Sequence, residues 1–148
     1  MDFPLVDLLG TTQSVLWLET YFHPQGLCCP KCQEAKTKAR VFRHSKRGLV
    51  DYRCNSCHQV YNLYSGTLFA GSPLSPAKVV LLLRGICKGE SSLVLARELQ
   101  LSRTTVHTYR KKVQQNAYTL LEQNALPDTR TETDEMFQNA GEKRAKTP

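Results

Sequence analysis

A chain of 148 residues with a pI near 9.2 and a formal net charge of +7 has room for one ordinary domain or two small ones, and its basic excess favours a polyanionic partner. The longest apolar run, Val79-Val80-Leu81-Leu82-Leu83, is far too short to span a bilayer, and Met1-Asp2-Phe3-Pro4 opens without a basic region before an apolar stretch. The expectation is a cytoplasmic protein with reduced thiols, no membrane segment and no small-molecule substrate.

Residues 1–26 read as a helical lead-in. Thr12 to Tyr21 predicts a helix with Leu16, Trp17, Thr20 and Tyr21 on one side, packed on the module that follows, and Pro24 and Gly26 end it.

Residues 27–66 carry the strongest signal. Cys29-Pro30-Lys31-Cys32 and Cys54-Asn55-Ser56-Cys57 are two C-x-x-C knuckles. Four thiolates brought to one point suit a closed tetrahedral zinc site, with Cys29, Cys32, Cys54 and Cys57 as ligands. A module this small has a poor core, so the metal supplies folding free energy on the order of 10 kcal/mol. Two of the six cysteines remain. Cys28 offers a C-x3-C alternative to Cys29, and Cys87, in an apolar helical stretch, reads as a buried thiol. With four cysteines at hand, His44 and His58 read as surface residues. Arg40–His44 and Leu49–Arg53 flank Ser45-Lys46-Arg47-Gly48, a hairpin with a glycine in its turn, and Val60–Tyr64 adds a third strand. The module is a zinc ribbon, and its hairpin cations Arg40, Arg43, Lys46 and Arg47 suit phosphates. On these residues alone the ribbon can bind DNA, dock a protein, or only hold the chain together.

Ser65 to Pro73, with Gly66 and Gly71, reads as a break between modules. Residues 73–126 then give three helices. Ser75 caps the first, with Pro76 at its first position and Val79, Val80, Leu83, Ile86 and Cys87 as its apolar stripe; Lys88-Gly89 stops it. Ser91 caps the second, carrying Leu95, Ala96 and Leu99. Ser102 caps the third, whose stripe runs Val106, Tyr109, Val113, Ala117, Leu120 and Leu121 before Pro127. Turns this short predict a helix-turn-helix, with Gln100 in the left-handed turn position usually given to glycine. The fold class is α+β: a small zinc-ribbon β module followed by a three-helix helix-turn-helix module.

The outer face of the third helix presents Ser102, Arg103, Thr104, Thr105, His107, Thr108, Arg110, Lys111 and Lys112, and no acid occurs from Leu99 to Leu121. The N-terminal end of such a helix reads base edges in double-stranded DNA: Arg pairs with guanine, and Thr methyls meet thymine methyls. Arg110, Lys111 and Lys112 suit phosphates.

Residues 127–148 form a polar tail in which Thr131 to Phe137 predicts a short strand. The sequence of features is a Cys-Pro-x-Cys knuckle, Tyr52-Arg53-Cys54-Asn55-Ser56-Cys57, Gly66-Thr67, the helix-turn-helix, and Thr133-Asp134-Glu135-Met136-Phe137-Gln138-Asn139-Ala140-Gly141-Glu142-Lys143. Over residues 4–143 this resembles the N-terminal part of bacterial insertion-sequence transposases that join a zinc-ribbon head to a DDE-type catalytic domain. The resemblance implies recognition of terminal inverted repeats in DNA transposition, assembly as a homo-oligomer on DNA, and Asp134 as the first metal-binding carboxylate of a ribonuclease-H-like domain. The remaining Mg²⁺ ligands of that domain lie far downstream in the family, so residues 127–148 correspond to a stub, and catalysis is expected only when a complete catalytic domain is present. Two other readings stay open: a stand-alone zinc-ribbon and helix-turn-helix transcription regulator, and a module that docks a partner protein.

Overall fold

The computed structural model describes residues 10–121. The readings made on Met1 to Pro4, on Pro127, on the Thr131–Phe137 strand and on Asp134 lie outside the described residues. Among the described residues, four α-helices and a three-stranded antiparallel sheet make an α+β fold: α1 (Thr11–Phe22), β1 (Ala39–His44), β2 (Val50–Cys54), β3 (Val60–Tyr61), α2 (Pro76–Cys87), α3 (Ser92–Glu98) and α4 (Arg103–Leu121). A single 3-10 turn at Lys36–Lys38 precedes β1. No helix among the described residues is long and apolar enough to cross a membrane.

The sheet runs in the order β1-β2-β3, so β1 is an edge strand among the described residues. Cross-strand pairs include Arg40 with Arg53 and Tyr52 with Tyr61, and a bulge between Val41 and Arg43 shifts the register. The β1–β2 turn closes through Ser45 N–H to the Leu49 carbonyl at 2.7 Å. Gly48 sits there at φ 83, and a Cβ on it would overlap the Thr11 side chain at the start of α1. Position 48 therefore needs glycine both for its backbone and for the close approach of α1. The third strand is shorter than its alternation suggests. After Tyr61 the chain turns: Asn62 Oδ1 accepts from the Tyr64 N–H, and Ser65 Oγ from the Asn62 N–H. That turn sends Leu63 and Tyr64 away from the sheet.

Two apolar clusters result. The smaller gathers Leu27, Cys29, Cys54 and Tyr61 beneath the sheet. The larger draws Leu18 from α1, Leu49 from the hairpin, Leu63, Tyr64, Phe69 and Leu74 from the segment after β3, and the inner faces of α2, α3 and α4. The segment read as a break between modules thus contributes buried Phe69 and Ser72, and Tyr64 and Leu74 at its two ends are buried as well. Its glycines mark turns, and its aromatic residues supply the packing area.

Three expectations about faces are corrected. In α1 the buried residues are Ser14 and Leu18, while Leu16 and Tyr21 stand exposed. The helix lies against α2, where Leu18 enters the larger core, and Ser14 is tolerated inside because its hydroxyl donates to the Gly10 carbonyl at 2.9 Å. Cys87 is exposed: it is the last residue of α2, whose buried positions are Pro76, Val79, Val80, Leu82, Leu83 and Gly85. Ala117 is exposed because the burial of α4 stops at half-buried Val113; no described element covers the helix beyond it.

The helix ends follow the capping rules. Ser75 Oγ accepts from the Lys78 N–H, Ser91 Oγ from the Val94 N–H, and Ser102 Oγ from the Thr105 N–H. Between α3 and α4, Gln100 has φ 51 and the Leu101 N–H reaches back to the Ala96 carbonyl at 2.9 Å. A non-glycine residue held there costs about 1 kcal/mol.

Candidate metal centre and nucleic-acid interface

The two knuckles are built alike. The Cys29 N–H donates to the Glu34 carbonyl and the Gln33 N–H to the Cys29 carbonyl; the Cys54 N–H donates to the Gln59 carbonyl and the His58 N–H to the Cys54 carbonyl. Gln33 and His58, each four residues past the first cysteine, both have φ 59. Each loop therefore curls back on its own sulfurs, and the loops face one another. Cys29 Sγ lies 3.4 Å from Cys57 Sγ, and Cys32 Sγ lies 3.5 Å from Cys54 Sγ. All four sulfurs fall within 4.8 Å of one another. A tetrahedral ion with metal–sulfur bonds near 2.3 Å holds its sulfurs about 3.8 Å apart, so these four residues can hold a metal ion. His44 and His58 are exposed, and neither belongs to the group. Cys28 is outside it too: its Sγ donates to Gln33 Oε1 at 3.2 Å.

As free thiols, Cys54 and Cys32 shift in opposite directions. Cys54 is pulled down to about 7, first by the Cys57 backbone N–H and then, against burial, by the Ser56 N–H and the neighbouring sulfurs. Cys32 feels the Glu34 backbone N–H, which lowers it, but the Cys57 and Cys54 sulfurs and burial push it up to about 12. Four sulfurs at this separation cannot all ionise without a cation among them. Tyr61 Oη is buried beside them with no hydrogen-bond partner among the described residues; burial, then Cys29 and Cys54, raise it to about 12.

The expected hairpin cations divide. Arg43 Nε donates to buried Asp51 at 2.6 Å, although its side chain is still 67% exposed. Arg47 donates to Ser45 Oγ and to the Ser72 carbonyl, tying the hairpin to the segment before α2. Lys46 is exposed and makes no ion pair among the described residues.

On α4, Val106 and Tyr109 are buried, so the helix turns its other side outward. Ser102, Arg103, Thr104, His107, Thr108, Lys111 and Lys112 are exposed. Half-buried Thr105 is engaged in the cap, its Oγ1 2.7 Å from Ser102 Oγ, and Thr108 Oγ1 donates to the Thr104 carbonyl. Arg110 differs from its expected phosphate role: it is half-buried and its guanidinium donates to the Glu90 carbonyl, holding the α2–α3 loop. Lys112 Nζ lies 5.5 Å from the Tyr109 ring centroid. The exposed polar face is thus Arg103, Thr104, His107 and Lys111, with no salt bridge to any of them among the described residues.

The sequence reading missed Phe42 and Arg53. Phe42 is exposed on the edge strand with the Arg53 guanidinium 4.4 Å from its ring centroid. The alternation of β1 shows an apolar residue there, but the bulge that decides its neighbours leaves no sequence mark. Comparison of the chain with protein-family models, with curated proteins and with solved structures finds no match.

Proposed function

We propose that this chain recognises double-stranded DNA, with α3 and α4 acting as a helix-turn-helix and the four cysteines holding a structural zinc. The observation that carries the reading is the exposed N-terminal half of α4, where Arg103, Thr104, His107 and Lys111 have no acidic partner among the described residues and the helix is anchored by Val106 and Tyr109. Reading bases needs this arrangement: one rigid side held by the core, the other carrying donors and methyl groups at helical spacing. Gln100 in the left-handed region and small Ala96 under the turn support a close approach of α3 and α4.

Zinc is supported by the donor set, since four soft thiolates in a closed tetrahedral cluster select zinc over hard cations. With all four positions filled by protein, the ion has no open site for water or substrate, so its work is to hold the sheet. In keeping with the resemblance, the DNA site is a terminal inverted repeat and the activity is the recognition step of transposition; Asp134 would enter the chemistry only within a complete catalytic domain. The test is binding of purified protein to a labelled library of random duplexes. Enrichment of one motif, lost on Arg103→Ala, supports the reading. Equal retention of every duplex overturns it.

A further inference from the structure

On the sheet face that carries Phe42, two like charges meet. Arg40 and Arg53 are direct cross-strand partners, and neither has a salt bridge among the described residues. Like charges directly opposite on neighbouring strands are unfavourable. Arg53 Nε is also buried without a hydrogen-bond partner among the described residues. The other hairpin arginines, Arg43 and Arg47, are engaged with Asp51, Ser45 and Ser72. Arg40 on the edge strand and half-buried Arg53 beside it on the central strand, both without an acidic partner among the described residues, call for an anion.

An aromatic ring lies against Arg53. Phe42 is 44% exposed, and the Arg53 guanidinium packs 4.4 Å from its centroid, with Arg43 at 5.8 Å. A cation stacked on a ring immobilises it. The ring is therefore a fixed platform at the surface, flanked by positive charge. Val41 beside it is 54% exposed, so the edge is apolar as well as basic.

We propose that Arg40, Phe42 and Arg53 form a binding surface for a single-stranded polynucleotide, in which the guanidinium groups meet phosphates and one base stacks on Phe42. Phosphate alone would account for the arginines but leave an exposed ring without purpose. Duplex phosphates would do the same, since bases in a duplex are stacked on one another and offer no free face. A single strand supplies both an anion and an aromatic plane at neighbouring positions. The surface shares no residue with α4, so it stands independently of duplex recognition by that helix.

The experiment uses the full chain and fluorescence anisotropy with a mixed-sequence oligonucleotide, as single-stranded DNA, as single-stranded RNA of the same sequence, and as the DNA duplex. Binding of either single strand, weakened about ten-fold by Phe42→Leu but held within about two-fold by Phe42→Tyr, supports the proposal, because only the aromatic plane differs. Comparison of the two strands shows which sugar is preferred. Arg40→Ala should flatten the salt dependence of single-strand binding. Equal affinities of the Leu and Tyr variants, failure of the wild-type protein to bind either single strand, or an equal loss on the duplex would each overturn it. Arg103→Ala, measured alongside, separates the surfaces: a duplex defect there with an intact Phe42 effect leaves both readings standing.

Discussion

Tyr109 of α4 donates its phenolic hydrogen to Ser72 Oγ at 2.7 Å, and both residues are buried. The same serine carbonyl accepts from Arg47 of the hairpin, and the Tyr109 ring stacks on Phe69 with centroids 5.4 Å apart. Ser72 is thus a junction between the sheet and the helix proposed to read DNA.

Tyr109→Phe removes the donor and keeps the ring. Ser72 Oγ still accepts from the Leu74 N–H, so it is not left orphaned. The expected loss is about 1 kcal/mol, read as a lower urea midpoint with an unchanged slope. A change in slope would mean that the hydrogen bond sets the compactness of the whole fold rather than one contact.

The four-cysteine cluster should carry about one zinc per chain. Cys54→Ser should lose it and unfold the sheet, and a strong chelator should do the same to the wild-type protein. Elemental analysis with far-ultraviolet circular dichroism checks both. Cys28→Ser is the control, since Cys28 lies outside the cluster; loss of metal there would move the site to the C-x3-C alternative.

Arg103→Ala should weaken binding to the preferred duplex by about 1–3 kcal/mol and relax base preference, because a guanidinium on a base edge discriminates. Lys111→Ala should weaken all duplexes alike and reduce the salt slope. Titrations at several salt concentrations distinguish the two. Identical behaviour of both variants on every sequence sinks the assignment of Arg103 as a reader.

Asp51 sets a pH dependence. Burial opposes its charge, but the Asn62 amide at 2.7 Å and the Arg43 guanidinium at 2.6 Å more than offset it, holding the carboxyl below its usual 3.8. A carboxyl with a lower pKa folded than unfolded stabilises the fold fully above the unfolded value, near 3.9, and loses that contribution as pH falls through the folded value. Urea midpoints of the wild type and Asp51→Asn, taken from about pH 6 to about pH 2, should converge at the acid end. The comparison is confined to the pH range in which elemental analysis finds the metal content unchanged, since metal loss would unfold the sheet in both proteins. Parallel curves would show that the pair is electrostatically silent.

Gly85 lies buried in α2, and a Cβ there would overlap Leu95 Cδ2 of α3. Alanine gains about 0.5–1 kcal/mol of helix preference but overpacks the α2–α3 contact by about 1–3 kcal/mol. Gly85→Ala should therefore destabilise on balance, and Gly85→Ala with Leu95→Val should recover part of the loss. Thermal unfolding of the single and double variants measures it.

Where local chemistry decides, the sequence was sufficient. The C-x-x-C spacing marked the four sulfurs, the serines at 75, 91 and 102 marked the helix starts, and the short turn marked Gln100 as left-handed. Where a distant partner decides, it was not. Val15, Leu16, Trp17, Leu18, Tyr21 and Phe22 surround α1 with apolar side chains, and only docking on α2 selects Leu18 over Leu16. Cys87 follows the apolar stripe of α2 in period but lies at its last residue. The occupations of Arg47 and Arg110 are long-range hydrogen bonds to backbone carbonyls, which leave no pattern in the sequence.

The docking of α1 on α2 also has a consequence for the order of folding events. The helix is only 12 residues long and its apolar partner lies across the whole ribbon, so it is too short to persist in water alone. Of the described helices, α1 leaves the ribosome first, yet its partner α2 is synthesised only after Cys57 has completed the four-cysteine cluster. Closing so long a loop is entropically costly until the ribbon has shortened it. With a metal on the four cysteines, synthesis and folding are therefore expected to run in opposite directions here: the first of the described helices to be made is the last to be secured, once the knuckles have drawn the two ends of the loop together.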